Sequence, residues 1–152
     1  MKGTYTIVLG FRRRVCVRVG KLGRFNLPGS RYLYTGSALG KGAVSLEGRI
    51  SRHKRRSKKL RWHIDYLTSN KSCRFIGVAY VASSKQLECK INRLITSSIH
   101  AVPVIPNFGS SDCDCVSHLL RPPSSLRVED LLAELEVLYA KFGRSLFSLV
   151  EE

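Results

Sequence analysis

Between residues 32 and 61 the chain reads YLYTGSALGKGAVSLEGRISRHKRRSKKLR, and the period of its apolar residues changes from two to 3.6 within that stretch. Tyr32 and Tyr34 share one face of a strand predicted over 31–35, whereas Ala43, Leu46 and Ile50 follow helical spacing. Gly36, Gly40 and Gly42 lie between them, so a strand has to pass through a turn directly into a helix. Arg49 and His53, four residues apart, stand one above the other on that helix and flank its buried stripe. A long cation at the rim of a core needs an anion or a route to water. A strand delivering tyrosine beside a helix delivering arginine and histidine is a compact way to hold a phosphodiester.

Charge supports that direction. The 152 residues carry a formal +15, unevenly placed. Residues 1–128 hold five of the eleven acids and 24 of the 26 Lys and Arg side chains, a net +19, while six acids lie at Glu129 and beyond. Nucleic acid is the default partner for such an excess. A ribosome-like structural role and membrane-surface binding are the blander readings. The length suits one core with a short appendage. No apolar run reaches membrane-spanning length, and the apolar run near the N-terminus reads as a strand rather than a signal peptide. Five cysteines, an odd number, fit reduced thiols in a cytoplasmic protein better than a disulfide framework.

Along the rest of the chain, Tyr5, Ile7 and Leu9 alternate with Thr4, Thr6 and Val8 in a first strand. Arg12, Arg13 and Arg14 make a charged turn into a second strand at Val15, Val17 and Val19, which predicts a hairpin with the first. A loop or short strand surrounds Phe25. Residues 62–67 read as a short helix and 73–82 as a buried central strand. Ser83 with Gln86 predicts a capping box for a helix burying Leu87, Ile91, Leu94 and Ile95, with Glu88 in its second turn. Residues 101–115 form a loop stiffened by Pro103 and Pro106. After Pro122 and Pro123, an acidic amphipathic helix runs from Val128 to a stop at Gly143, expected to dock on the body or on a protein partner. The division is therefore residues 1–121 and an extension, 122–152.

Two local motifs fail a chemical test. The 36–42 glycine segment is one residue short of a P-loop and lacks the Ser or Thr that would hold magnesium, so turn geometry explains its glycines. Cys113, Cys115 and His118 are zinc donors, but the usual spacing is absent and a fourth ligand, Cys89 or Cys73, is not visible in the sequence. Inert thiols are favoured over structural zinc. Singly, Tyr5 and Tyr34 read as ordinary strand residues, Arg49 and His53 as a solvated helix face, and Glu88 as a partner of Lys85 or Asn92.

The joint order of these residues carries more. Gly3-Thr4-Tyr5, Tyr34-Thr35-Gly36, Arg49-Ile50-x-x-His53 and Leu87-Glu88 resemble the motifs of the GIY-YIG nuclease superfamily. RISRH, WHIDYL, LEC and FGSSDC extend the resemblance, over about residues 3–120, to a small GIY-YIG-like family of archaea and thermophilic bacteria described only as a domain of unknown function. The resemblance implies an α/β (α+β) fold, a small antiparallel or mixed sheet with helices packed on it, to which the C-terminal helix is added. It implies magnesium- or manganese-dependent hydrolysis of DNA. Tyr5 or Tyr34 would activate water, and Arg49 would hold the phosphate. His53 would assist proton transfer or contact the phosphate, and Glu88 would be the metal ligand. A free tyrosine, with a pKa of about 10, needs neighbouring charge before it can act as a base.

Residues 6–33, between Tyr5 and Tyr34, exceed the superfamily's short gap and imply an inserted strand or hairpin. Its downstream asparagine matches either Asn92 or Asn107, while His63 and Asp65 belong to the closer family's pattern without an assigned role. Arg52, Lys54, Arg55, Arg56, Lys58, Lys59 and Arg61 are expected to track a nucleic-acid backbone, DNA rather than RNA. The expected activity is that of a structure-dependent or weakly sequence-specific endonuclease, for example in DNA repair. Its alternatives are a non-catalytic nucleic-acid-binding module and an RNA-associated structural protein.

Overall fold

Strand β1 (Gly3–Phe11) is buried along its whole length, because both its edges and both its faces are covered. In the computed structural model it pairs antiparallel with β4 (Ser30–Ala38) on one side and β5 (Arg74–Ala82) on the other. Short strands β6 (Val102–Pro103) and β7 (Leu119–Arg121) continue the sheet beyond β4, and β8 (Ser145–Leu149) continues it beyond β5. The six strands run in the order β6-β7-β4-β1-β5-β8, each pair antiparallel. The structure describes residues 1–143 and the backbone of 145–149. The end of the predicted 122–152 extension, including Glu151 and Glu152, lies outside the described residues, as does the side chain of Ala43.

The hairpin predicted between β1 and the next strand does not form. β2 (Val15–Arg18) pairs instead with β3 (Arg24–Leu27) as a separate two-stranded ribbon. The charged turn at 12–14 marks a reversal, but β1 has no free edge because β4 and β5 occupy both. This ribbon is the insertion that the long spacing between Tyr5 and Tyr34 implies.

Alternation along β1 sorts the core into two layers. Tyr5, Ile7 and Leu9 point to a front face, where they meet Tyr32 and Tyr34 of β4, α1 (Leu46–Lys54) and α2 (Asp65–Thr68). Val8 points to the back with Leu33, Ala79 and Val81, against α3 (Glu88–Ile99) and α4 (Val128–Ala140). The result is a three-layer α+β fold.

Helix α1 starts at Ser45, whose hydroxyl accepts the Gly48 N–H at 3.1 Å. Helix α3 starts later than the capping box predicts. Ser83 Oγ is occupied by the Lys85 N–H at 3.1 Å in a local turn, and Glu88 falls in the first turn, not the second.

Helix α4 buries Leu131, Leu132, Leu135, Leu138 and Tyr139 in the back core. At about 1.5–3 kcal/mol for each large side chain, that is on the order of 10 kcal/mol before conformational entropy is counted. Tyr139 Oη lies 2.6 Å from Thr6 Oγ1, which in turn meets its cross-strand partner Thr35 at 2.8 Å. The acidic helix thus docks on the body. Among the described residues, no helix is long and apolar enough to cross a membrane.

Candidate functional site

One cleft of about 470 Å³ opens at the front, bordered by Tyr5, Tyr34, Arg49 and Glu88. These come from β1, β4, α1 and the first turn of α3, so only the folded chain assembles them. Arg61 and His63, from the segment before α2, border it too.

Tyr5 borders the cleft, whereas His53, expected at the site, does not line it and lies buried behind Tyr5. Tyr5 Oη and His53 Nε2 are 2.7 Å apart, and both residues are buried. Burial, reinforced by the Lys58, Arg49 and Arg52 cations, pushes His53 down to about 3, so the ring is neutral. Burial raises the Tyr5 phenol above its ordinary value, although Arg49 opposes this; Tyr34 is raised for the same first reason. Both tyrosines therefore stay protonated in the resting site. Tyr34 meets His53 and Phe108 edge-on, with centroids 6.1 and 6.0 Å away.

Gly36 is a strand residue, which corrects its reading as turn geometry. It lies opposite Tyr5 in the β1–β4 register, and a Cβ there would stand 2.6 Å from Tyr5 Oη and 2.8 Å from its Cζ. The tyrosine ring needs the space that a side chain would fill. Gly109 serves Tyr34 similarly, since a Cβ would come within 2.9 Å of that ring, and its φ of +65° also favours glycine.

Arg49 donates from Nη1 to the Ser37 carbonyl at 2.7 Å, while its buried Nε has no protein partner. Its guanidinium lies 4.7 Å from the centroid of Trp62, and Arg52 lies at the same distance from that ring. Beneath them Asp65 is fully buried. Its Oδ2 accepts from Arg52 Nη2 at 2.7 Å and from the Arg61 and Trp62 N–H groups at 2.9 Å. Burial alone would raise this carboxyl, but the three donors outweigh it and hold it below its ordinary value. Asp65 therefore positions the segment that carries Arg61, Trp62 and His63 and does not itself reach the cleft.

The basic run divides. Arg52 is tied to Asp65 and to the Lys59 carbonyl, and Arg56 donates to the Cys73 carbonyl at 2.9 Å. Lys58 bonds Thr68 Oγ1 at 2.6 Å and the Arg52 carbonyl at 2.9 Å, closing the C-terminus of α1. Burial lowers its ammonium to about 8. Lys54, Arg55, Lys59 and Arg61 are exposed. Of the two asparagines, Asn92 is buried and ties α3 to the Ser117 carbonyl at 2.9 Å, whereas Asn107 is exposed with φ +67° and turns the chain. Neither borders the cleft.

His63 Nδ1 accepts the Gly109 N–H at 2.8 Å, which draws the loop after β6 to the cleft. That loop contributes Ser111 and Asp112, and Gln86 and Trp62 complete the wall. Sequence reasoning missed these lining residues. The WHIDYL and FGSSDC strings were the available signal, because each mixes polar and aromatic residues where a plain turn would not.

Glu88 Oε1 stands 3.4 Å from His118 Nδ1, too poorly aligned to count as a hydrogen bond, and Nδ1 has no other partner. The opposite ring nitrogen, Nε2, lies 3.5 Å from Cys113 Sγ and 3.8 Å from Cys89 Sγ. Cys89, Cys113, Cys115 and His118 bring four donor atoms within 4.8 Å of one another, a group that could hold a metal ion. Of the two cysteines considered for a fourth donor, Cys89 and not Cys73 belongs to this group, next to Glu88 on α3. Burial, and then the neighbouring Cys115 and Cys113 thiols, push the Cys89 thiol up to about 12.

Fold and site together define an α+β domain with a polar, arginine-bearing cleft beside a cysteine–histidine cluster. The sequence model of the family described as Domain of unknown function DUF123 matches residues 4–140, and the chain belongs to that family. The match extends beyond residue 120 to include α4. No curated protein matches the chain, and neither does any solved structure.

Proposed function

We propose that the chain is a metal-dependent endonuclease of the GIY-YIG kind that hydrolyses DNA phosphodiesters. The observation that carries this reading is the convergence of Tyr5, Tyr34, Arg49 and Glu88, from four separate elements, on one cleft. Arg49, which borders the cleft, offers its guanidinium to a phosphate oxygen and offsets the charge that grows there during attack. Trp62 holds the Arg49 guanidinium in place from one face. Tyr5, held by its hydrogen bond to neutral His53, presents its phenol at the cleft, where a bound cation would be needed to draw off its proton.

The carboxylate of Glu88 suits a hard cation such as magnesium or manganese, with Ser111 and Asp112 adding oxygen donors around the same space. When bound, such an ion supplies charge neutralisation at the phosphate and a more acidic water. The exposed cations Lys54, Arg55, Lys59 and Arg61 would track the backbone.

The second reading, a non-catalytic nucleic-acid-binding module, is favoured by the burial and protonation of Tyr5. A phenol held neutral beside a neutral imidazole is not a resting base.

The deciding experiment incubates the purified protein with single-stranded, flapped and duplex DNA, with and without magnesium or manganese. Metal-dependent cleavage is expected, and Glu88→Gln and Arg49→Ala should each lower it by at least about 100-fold while much of the binding survives. Intact substrate across the panel would select the binding module. Cleavage that survives both substitutions would place the chemistry elsewhere.

A further inference from the structure

We infer that the chain holds a structural zinc ion on Cys89, Cys113 and Cys115 Sγ and His118 Nε2, and that this ion fixes the orientation of Glu88 through the His118 ring.

The distances match the ion. A tetrahedral zinc with Zn–S of about 2.3 Å and Zn–N of about 2.05 Å has S···N edges of about 3.6 Å. Two such edges, His118 Nε2 to Cys113 and to Cys89, measure 3.5 and 3.8 Å. All four donor atoms fall within 4.8 Å of one another, so closing on an ion needs only side-chain adjustments. Three soft thiolates with one imidazole select zinc over magnesium or calcium, and four protein ligands leave no open position.

The ligands come from places that need joining. Cys89 sits in the first turn of α3, which has no side-chain cap. Cys113 and Cys115 lie in the long loop between β6 and β7, and His118 lies just before β7. The ion would fasten that loop, with Ser111 and Asp112 at the cleft wall, to the helix that carries Glu88.

The same geometry reaches the cleft. A metal on Nε2 requires the His118 proton on Nδ1, the nitrogen that faces Glu88 Oε1 and has no other partner. With zinc bound, Nδ1–H donates to the carboxylate and restricts its rotation. Zinc binding is independent of the nuclease reading; only the value of an oriented Glu88 depends on it.

The test measures metal directly on the full chain, purified without chelator after growth in zinc-supplemented medium. Elemental analysis should find about one zinc per chain. Cobalt substitution should give thiolate-to-cobalt charge-transfer bands with the intensity of a tetrahedral site. Cys115→Ser should lose most of the zinc, whereas Cys16→Ser, altered on the separate ribbon, should keep it. Because Cys115→Ser could fail to fold, the wild-type chain is also titrated with an organomercurial, which should release zinc as about three thiols react. Coupling to Glu88 is read by zinc retention: Glu88→Gln should keep the metal but release it faster to a chelator. A zinc-free chain that takes up none, an iron–sulfur chromophore, or a disulfide among Cys89, Cys113 and Cys115 would each overturn the assignment. An unchanged release rate in Glu88→Gln would overturn the coupling. None of these readouts uses DNA cleavage.

Discussion

Tyr5 on the central strand and His53 on the first helix share a 2.7 Å hydrogen bond that is sealed from solvent. One neutral imidazole nitrogen carries a proton and the other accepts one, so the pair is satisfied only while both rings are uncharged. His53 Nδ1 has no hydrogen-bond partner among the described residues. A buried ring supported on one side alone makes the pair sensitive to acid.

Stability should therefore fall on acidification in a window set by His53. Between pH about 6.5, the ordinary histidine value, and about 3, the unfolded chain binds a proton that the folded chain refuses. The contribution is fully present above the upper value and is lost as pH falls, by a few kcal/mol at about 1.36 kcal/mol per unit. Urea midpoints measured from neutral pH to about pH 4 should show this slope, and His53→Gln should flatten it. Asp65, held below its ordinary value of 3.8, adds a loss that begins only as pH falls below that value, so it overlaps the His53 window at its acid end alone. A slope that persists in the variant would assign the sensitivity to other groups.

Gly36→Ala should destabilise the fold by about 1–3 kcal/mol, because the new Cβ must displace the Tyr5 ring. The clash is partly with the hydroxyl, so the same substitution in a Tyr5→Phe background should cost less. A double-mutant cycle by chemical denaturation measures the difference. Strict additivity would locate the strain away from the tyrosine hydroxyl.

The basic run should separate into two behaviours. Lys59→Ala and Arg61→Ala alter exposed side chains and should weaken nucleic-acid binding, each reducing the salt slope by about one, with little change in stability. Lys58→Ala removes a half-buried ammonium that closes α1, and should cost about 1–2 kcal/mol of stability. Fluorescence anisotropy over a range of salt, run beside thermal melts, distinguishes the two. Equal salt effects from Lys58 and Lys59 would contradict the division.

Much of the fold was legible because alternation and helical spacing are local signals. β1, β4, β5 and α4 follow directly from them. Strand partners are not local: the turn at 12–14 predicts a reversal, but it does not say that β4 and β5 already flank β1. At the site, Tyr5, Tyr34, Arg49 and Glu88 were readable as an ordered set, and the fold brings them to one cleft. Cys89 was named with Cys73 as a fourth donor but could not be chosen over it, because Cys113 lies far along the chain and only the meeting of α3 with the loop joins them. Gly36 was misread for a related reason, since the tyrosine that needs its space sits on another strand. Asp65 was named without a role; the structure keeps it out of the cleft, and its acceptor role became visible only with its three donors in place.

The docking of α4 has an electrical consequence. Glu129, Asp130, Glu134 and Glu136 all stay exposed on the back layer, while Arg49 and Arg61 border the front cleft. Acidic side chains are therefore gathered on the back layer, on the side away from the cleft that Arg49 and Arg61 border. For the proposed polyanionic substrate this separation would favour approach to the front and disfavour approach to the acidic face of α4.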